Sequence, residues 1–484
     1  MTAPDSNVHR KDAVLAHMDK MAGEIRQWTA RNEYFHHSDR VFLRFLIPEG
    51  ARILDVGCST GDLLAALKPS HGVGIDLSER VVELARAAHP HLAFHVGDVE
   101  LSPILAGLIA DGPFDYILLS DTVGSLDDVQ ATLQNLHPLC HADTRIILVY
   151  YSHLWEPVLR MAEACGLKMP QLRRNCLPLD DIANLLDLAG FDVVKQEQRL
   201  LVPKRLFGLG AWINRYIAPL PGIRRLCLRH YTVARSSAHP PRRDLSASVI
   251  IPCRNERGNI AAAIERLPVF CEQLEVIFVE GHSNDGTLAE IERVIAGYHG
   301  PLKLNYAVQD GIGKGDAVRK GFAMARGDVL MILDADLTVA PESLPRFFEA
   351  ISSGKGEFAN GSRLVYPMES DAMRFLNFIG NAFFAYAFSW LLNQRITDTL
   401  CGTKAITRTH YKRIEAGRGY FGDFDPFGDF DLIFGASKLN LKFVEIPIRY
   451  TTRTYGETQI QRFRHGLRLL RMVAFAFRSL KAIG

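Results

Sequence analysis

The sequence has little that would mark a secreted or membrane-spanning protein. Its eight cysteines form no CxxC pair and no regular spacing, which argues against a disulfide framework and favours a reduced, cytoplasmic compartment. Residues 1–20 lack the apolar core of a signal peptide, so we expect no secretory leader. The longest apolar run, residues 375–392, is interrupted by two asparagines and a serine. It therefore predicts an amphipathic or interfacial helix rather than a membrane span.

An excess of one charge is also missing from the chain as a whole. Lys and Arg total 56 while Asp and Glu total 54, so we expect no nucleic acid among the partners. Two segments are locally basic: residues 203–243 hold nine Lys or Arg and no acid, and residues 451–484 hold seven with one Glu. Because both also carry apolar residues, they favour peripheral contact with the inner face of the cytoplasmic membrane, although solvated helices and linkers have the same composition.

The chain is too long for a single ordinary core, and no short internal repeat is visible. Two series of short apolar runs, each followed by helical patterns, predict two consecutive doubly wound α/β domains. A proline and charge cluster near residues 236–244 is the best boundary between them. We predict a first domain at residues 1–205, a basic linker at 206–243, and a second domain at 244–484 that ends in an amphipathic helix.

The first domain carries a glycine-rich turn between a predicted strand and a helix. In DVGCSTGDLL, which begins at Asp55, the small residues Gly57, Ser59 and Gly61 would let a ligand approach the backbone. The next strand ends in Asp76, at a distance suited to a ribose diol. The two strands that follow end in polar groups, at Asp98 followed by Val99, and at Ser120 followed by Asp121. A dinucleotide is disfavoured, because the GxGxxG spacing is absent.

This series resembles the class I S-adenosylmethionine-dependent methyltransferases over about residues 35–203. The resemblance implies a Rossmann-like fold with S-adenosylmethionine as cofactor, and Ser59 stands where the family usually has glycine. The implied cofactor-binding residues are Asp55, Gly57, Ser59 and Gly61 on the methionine side, Asp76 at the ribose, Asp98 and Val99 at the adenine, and Ser120. Methyl transfer needs an aligned acceptor more than any one catalytic side chain, so the methyl acceptor stays open.

The second domain contains a hydrophobic run, LMILDADLT at residues 330–338, that ends in two aspartates. Side chains alternate along a strand, so we expect Asp334 and Asp336 to point to the same side. Two such carboxylates form half of an oxygen cage for Mg²⁺ or Mn²⁺. A metal would relieve their repulsion and stabilise a departing nucleoside diphosphate. A lone DxD is common by chance, so the surrounding motifs must support this site.

These surroundings resemble glycosyltransferase family 2, with its GT-A fold, over about residues 246–455. The matching stretches are SVIIPCRNE, VEGHSNDGT, GIGKGDAVRKGFAMARGD, GSR, TDTLCGTKAI and EIPIRYTTRTYGET. The closest branch is that of the dolichyl-phosphate mannose synthases and their bacterial polyprenyl-phosphate relatives. The resemblance implies inverting transfer from a nucleotide-sugar donor. The implied donor-binding residues are Pro252, Arg254, Glu256, Glu280, Asp310, Lys314, Arg363 and Arg453, with Asp334 and Asp336 as metal ligands and Asp336 also counted as catalytic.

The sequence departs from the family pattern in two places. VEGHS stands at residues 279–283 where VDDGS is common, and Gln459 replaces a lysine that follows the last conserved glycine. The lost lysine weakens the expectation of a lipid-phosphate acceptor. If the acceptor is a hydroxyl, it needs a base, and Asp429 or Asp431 lies where the family places one. A phosphate acceptor is already an anion and needs none.

The fusion of two transferase-like domains predicts a bifunctional enzyme of glycan or glycolipid biosynthesis. Its expected partners are a nucleotide-sugar donor and a glycan, polyprenyl-phosphate or other lipid acceptor. The alternative is a glycosyltransferase acting on a hydroxyl acceptor, in which the methyltransferase domain only binds its cofactor and serves as a regulatory scaffold.

Overall fold

The computed structural model describes residues 5–172, 175–238, 242, 244–366, 375–420, 430–453, 455 and 462–483. It divides into two compact units, Met1–His239 with Lys481–Gly484, and Pro240–Leu480. Within the described residues, each unit is built on a seven-stranded sheet. The prediction of two consecutive α/β domains is thus confirmed.

The sheet of the first unit is mostly parallel. Its strands are β1 (Arg52–Val56), β2 (His71–Asp76), β3 (Ala93–Val96), β4 (Phe114–Ser120), β5 (Cys140–Tyr151), β6 (Phe191–Arg199) and β7 (Arg229–Ser236). They lie in the order β3-β2-β1-β4-β5-β7-β6, and β7 runs antiparallel to both of its neighbours. The chain order reverses between β1 and β4, so the carboxyl ends of these strands flank a crevice that suits a ligand.

Helices cover both faces of this sheet. They are α1 (Asp5–Met21), α2 (Ile25–Arg31), α3 (Glu33–Leu46), α4 (Asp62–Ala66), α5 (Glu79–Ala88), α6 (Ser102–Asp111), α7 (Val129–Asn135), α8 (Glu156–Ala164), α9 (Leu179–Leu188) and α10 (Leu209–Trp212). The strands alternate between two cores, so that Ile53 packs on one face of β1 and Leu54 on the other. The hydroxyl of Ser78 accepts a hydrogen bond from Val81 N at 3.2 Å and thereby caps α5.

Strand β7 lies inside the segment predicted as a basic linker, and it is buried along its whole length. Val233 packs into one core and Ala234 into the other, which a linker composition does not suggest. Its basic residues are neutralised by acids, since Arg235 pairs with Asp192 at 3.1 Å. The number of basic residues in this segment therefore could not reveal the strand, because acids inside the fold pair with its charges.

The second unit has a sheet in which one strand is reversed. Its strands are β8 (Ala247–Cys253), β9 (Leu274–Glu280), β10 (Lys303–Val308), β11 (Val329–Ile332), β12 (Phe358–Ser362), β13 (Lys404–Thr407) and β14 (Phe443–Pro447). Their order is β10-β9-β8-β11-β13-β12-β14, and β13 is antiparallel to both neighbours. The short strands β12 and β13 were predicted only as motifs, because glycine and polar residues interrupt their apolar pattern.

The helices of the second unit are α11 (Ile260–Glu265), α12 (Thr287–Gly297), α13 (Lys314–Met324), α14 (Leu344–Ser352), α15 (Phe375–Leu392), α16 (Arg408–Ala416), α17 (Phe430–Lys438) and α18 (Arg462–Ala476). The apolar run at 375–392 forms α15, whose Phe388 packs against Phe430 with ring centroids 5.2 Å apart. In the part of the chain that the structure describes, no helix is both long and apolar enough to cross a membrane.

Candidate functional sites

A cavity of about 570 Å³ lies at the carboxyl ends of β1, β2 and β4 in the first unit. Its wall brings together most of the residues predicted to bind the cofactor, namely Asp55, Gly57, Ser59, Asp76, Asp98, Val99 and Ser120. Gly61 instead begins α4 with a φ of +72°, and a Cβ there would collide with the ring of Phe94. The glycine at 61 therefore serves the tight strand-to-helix turn.

The turn after β1 brings Gly57, which has no side chain, close to Asp55, whose carboxyl has an oxygen without a hydrogen-bond partner among the described residues. Gly57 has a φ of +77°, and a Cβ there would overlap the hydroxyl of Thr122. Asp55 is buried, and its Oδ1 has no hydrogen-bond partner among the described residues. Burial, together with the nearby Asp76, raises the pKa of Asp55 to about 7. A buried oxygen without a partner beside a cavity is the position that a ligand donor would satisfy.

Asp76 is oriented by the backbone rather than by a cation. Its two carboxylate oxygens accept hydrogen bonds from Ser59 N at 2.9 Å and from Ser78 N at 3.1 Å. Burial raises the pKa of Asp76, and these N–H donors oppose the rise. The hydrogen bond from Ser59 N to Asp76 links the turn after β1 to the end of β2. The ends of these two strands, which carry Asp55 and Asp76, are therefore held together.

Asp98 has a partner that sequence reasoning missed. The ammonium of Lys11, on α1, contacts Asp98 and lies 2.9 Å from Glu100. Burial lowers the pKa of Lys11, but the two carboxylates raise it by more. No local pattern could reveal this pairing, because the partners are 87 residues apart.

A fully buried arginine holds two further acids at the cavity. Arg229, from β7, lies 2.8 Å from Asp39 and 2.6 Å from Asp121. Its guanidinium also lies 5.1 Å from the ring centroid of Phe35 and 4.6 Å from that of Tyr151. Burial lowers the pKa of Arg229, but the two aspartates raise it further, so the group stays charged. Asp121 lines the cavity with a φ of +59°, a conformation that its neighbours must impose.

In the second unit, strand β11 ends at Ile332, so Asp334 and Asp336 lie beyond the strand. The alternation expected of a strand therefore does not govern their directions, and each faces a different cation. Asp334 Oδ1 lies 2.6 Å from the ammonium of Lys314, the first residue of α13. Burial would raise the pKa of Asp334, but Lys314, helped by other cations, holds it below its usual value.

Gly402 encloses this ion pair, and sequence reasoning missed its role. A Cβ at Gly402 would overlap both Asp334 Oδ2 and Lys314 Nζ, so only glycine fits against the pair. The TDTLCGTKAI motif was recognised, but the reason for its glycine is visible only in three dimensions. The same motif provides buried Asp398, which pairs with Arg363 at 2.6 Å.

Asp336 belongs to a second cluster that includes two predicted donor-binding residues. Arg453 lies 2.7 Å from Asp336 and 3.4 Å from Glu256. Backbone pairing positions the arginine, because Thr451 N donates to Thr338 O at 3.1 Å. The hydroxyl of Thr338 donates to Asp336 at 2.8 Å and holds the acid.

The other predicted residues of the second unit differ in their surroundings. Glu280 is buried at the end of β9 and accepts hydrogen bonds from Ser283 N at 2.6 Å and His282 N at 3.1 Å. Pro252 is the penultimate residue of β8, and Arg254 follows that strand and is exposed. Asp310 is exposed and pairs with Lys320 at 2.7 Å.

The two candidate bases can be compared only in part. Asp431 lies in the first turn of α17 and pairs with Arg418 at 2.8 Å. Asp429 lies outside the described residues. Of the two candidate bases, the structure therefore describes Asp431, which forms an ion pair with Arg418 in the second unit.

Two family models match separate parts of the chain. Residues 27–196 match a methyltransferase domain, and residues 248–414 match glycosyl transferase family 2. The first segment contains Asp55, Asp76 and Asp98, and the second contains Asp334 and Asp336.

Individual proteins match parts of the chain. The chain is 28% identical over 239 residues to a polyprenol monophosphomannose synthase of Mycolicibacterium smegmatis, covering 46% of this chain and 83% of that protein. It is 36% identical over 111 residues to an undecaprenyl-phosphate 4-deoxy-4-formamido-L-arabinose transferase of Aeromonas hydrophila, covering 22% of this chain. The chain spans 34% of the length of the first two curated relatives that it matches. A solved S-adenosylmethionine-dependent methyltransferase from Thermotoga maritima matches with 18% identity and a TM-score of 0.35, covering 46% of this chain and 99% of that one.

Proposed function

Because the chain joins a methyltransferase domain to a glycosyl transferase family 2 domain, we propose that it is a bifunctional enzyme of glycan or glycolipid biosynthesis. One unit transfers a methyl group from S-adenosylmethionine, and the other transfers a sugar from a nucleotide-sugar with inversion of configuration. The observation that carries this proposal is the presence of two separate acid-lined sites, one in each matched segment.

The first site fits S-adenosylmethionine by its shape and its donors. Asp55 offers a buried oxygen, without a hydrogen-bond partner among the described residues, for an amino group, and Gly57 lies beside it in the cavity wall. Asp76 would bind the ribose diol, and Asp98 and Val99 would flank the adenine, since all three line the cavity. When bound, the cofactor supplies an electrophilic methyl group on sulfonium. These residues would orient the cofactor, which is what an in-line displacement requires.

The second site fits a divalent metal by the chemistry of its donors. Asp334 and Asp336 offer hard carboxylate oxygens, and each already attracts a cation in this structure. When bound, Mg²⁺ or Mn²⁺ supplies Lewis acidity to the leaving diphosphate. Lys314, Arg363 and Arg453 would provide further positive charge for phosphate oxygens. Glu256, Glu280, Pro252, Arg254 and Asp310 would surround the base and ribose.

For the acceptor of the sugar we propose a polyprenyl phosphate or similar lipid. The names of the relatives support this choice, since both transfer sugars to polyprenyl carriers. A phosphate acceptor needs no base. We further propose that the protein works at the inner face of the cytoplasmic membrane.

The proposal is tested by incubating the full chain with labelled nucleotide-sugars, Mn²⁺ and membrane lipid extract. We expect labelled sugar in the organic phase, with release of nucleoside diphosphate and loss of both signals in Asp336→Asn. Sugar found only in the aqueous phase would contradict a lipid acceptor and favour a hydroxyl acceptor with Asp429 or Asp431 as base.

The methyl transfer is tested separately with labelled S-adenosylmethionine and the same extract. We expect methylated product from the parent chain and none from Asp76→Ala. If neither protein methylates the extract while the parent chain still binds the cofactor, the first unit is a cofactor-binding scaffold. Sugar transfer by Asp76→Ala is the control that its second unit is intact.

A further inference from the structure

A segment between β6 and β7 exposes more apolar surface than a solvated connection would. In this basic segment, residues 204–226, every residue from Lys204 to Leu209 is exposed, and Phe207 protrudes with a relative exposure of 112%. The other exposed large apolar side chains of the segment are Leu206, Leu209, Trp212, Tyr216 and Leu226. A contiguous group of this kind marks a surface that binds a partner.

This exposure does not come from a loose loop, because polar contacts hold the backbone. The side chain of Asn214 accepts hydrogen bonds from Leu201 N and Val202 N at 2.8 and 2.9 Å and donates to the Tyr34 hydroxyl at 3.0 Å. Phe207 has a φ of +55°, a strained value for a side chain that buries nothing within this chain. The hydrogen bonds of Asn214, which lies between Trp212 and Tyr216, therefore tie the middle of the segment to the rest of the first unit.

The charges of the segment identify the chemistry of the partner. It contains five basic residues and no acid: Lys204, Arg205, Arg215, Arg224 and Arg225. The guanidinium of Arg215 lies 5.6 Å from the ring centroid of Tyr216, which in turn lies 6.1 Å from the ring of Trp212. Trp and Tyr with apolar neighbours suit the level of lipid headgroups, and arginines suit their phosphates.

We propose that the basic segment docks the first unit on an anionic lipid bilayer, with Phe207 and Trp212 inserted among the acyl chains. This inference deepens the proposed membrane location and rests on it. Pro203 and Lys204 also line the cofactor cavity, so docking brings the rim of that cavity to the headgroup level. The lipid surface is preferred to a protein partner because the segment combines aromatic anchors with charge of one sign.

The test is co-sedimentation of the full chain with vesicles of phosphatidylcholine containing phosphatidylglycerol, compared with vesicles of phosphatidylcholine alone. We expect partition onto the anionic vesicles only. Phe207→Ser and Trp212→Ser should each lower the partition coefficient about tenfold. Arg205→Gln and Arg215→Gln should each lower it about fivefold. Leu188→Ser, which changes an equally exposed leucine on α9, is the matched control and should not lower it.

A second readout locates the inserted side chain. Brominated phosphatidylglycerol should quench tryptophan fluorescence of the parent chain, and the quenching should fall in Trp212→Phe. Partition that is unchanged in all four variants would overturn the proposal and place the contact elsewhere. So would a self-association, seen by sedimentation velocity, that the variants abolish without changing vesicle binding.

Vesicle binding requires neither reaction, so the two proposals fail separately. A chain that binds anionic vesicles through this segment but transfers neither sugar nor methyl groups would sink the proposed function alone. A chain that performs both transfers in detergent but ignores the vesicles would sink the docking surface alone. Retained cofactor binding in the four variants shows that they are folded.

Discussion

The acids of the first site and those of the second are handled differently by their surroundings. Asp55 and Asp76 lie in a buried pocket where Asp76 is contacted by backbone N–H groups and Asp55 keeps an unsatisfied oxygen. Asp334 and Asp336 instead face Lys314 and Arg453 directly. Burial raises the pKa of Asp55, while the cations outweigh burial at Asp334 and lower its pKa. The carboxyl of Asp55 thus has an oxygen that a hydrogen-bond donor of a ligand would satisfy, whereas Lys314 and Arg453 hold positions at the second site that a ligand would exchange.

The largest effect is expected in the first unit, at the trio of buried Arg229, buried Asp39 and partly exposed Asp121. Arg229→Met would leave Asp39 buried without its cation. We expect the free energy of unfolding to fall by about 3 to 5 kcal/mol, measured by urea denaturation of the full chain. Arg44→Met, which changes an exposed arginine on α3, is the control. An equal and small effect in both variants would show that the trio contributes no net stability.

The second-largest effect tests whether Lys314 and Arg453 occupy the position that a divalent metal would take. Asp336→Asn removes one charge without changing size, so sugar transfer should fall at least about a hundredfold. Chelation of divalent metal in the parent chain should reduce transfer to a similar level. Unchanged affinity for S-adenosylmethionine is the control, and full activity after chelation would contradict the metal assignment.

A smaller loss is expected from Gly402→Ala, which tests the same site without touching its charges. The added Cβ must displace Lys314 or Asp334, so transfer should fall between about tenfold and a hundredfold. Gly297→Ala is the matched control, because nothing lies within 4 Å of a Cβ at that position. If both alanine variants transfer sugar at the parental rate, catalysis does not depend on the geometry of the ion pair between Asp334 and Lys314.

The smallest effect concerns the pH dependence of the first site. Folding raises the pKa of Asp55 from 3.8 to about 7. As the pH rises, the unfolded chain therefore loses this proton at a lower pH than the folded chain does. The contribution of the neutral carboxyl to the free energy of unfolding declines between about pH 4 and 7. A cationic ligand prefers the ionised form, so affinity for S-adenosylmethionine should rise by at most about tenfold as the pH increases from 6 to 7. Calorimetry on Asp55→Asn should show a weaker pH dependence, and an equal slope would assign the titration to another group.

Most of the sheet could be predicted from the sequence because its strands are short apolar runs that end in small or acidic residues. In the first unit, the apolar residues of β5 and β6 were enough to predict them, and β1 to β4 follow this rule. Strand β7 does not, since Arg229 and Arg235 give it the composition of a linker. Their charges are satisfied by Asp39 and Asp192, which lie far away in the sequence. A composition count has no access to such pairing.

The acids of both sites were also predictable, because their type and spacing follow from the chemistry of ribose, amine and metal. Their partners were not. Lys11 reaches Asp98 across the fold, and Gly402 closes on Asp334 from another part of the chain. The same limit explains the directions of Asp334 and Asp336, which depend on β11 ending at Ile332 rather than at the aspartates.

The last residues of the chain belong to the first unit. The ammonium of Lys481 lies 2.8 Å from the carboxylate of Glu197 on β6, and Arg199 donates to Lys481 O at 2.8 Å. Burial would raise the pKa of Glu197, but Lys481 and Arg199 lower it. During translation, Glu197 therefore leaves the ribosome long before the cation that neutralises it. Because Lys481 follows the second unit in the sequence, this ion pair can form only after the second unit has been synthesised.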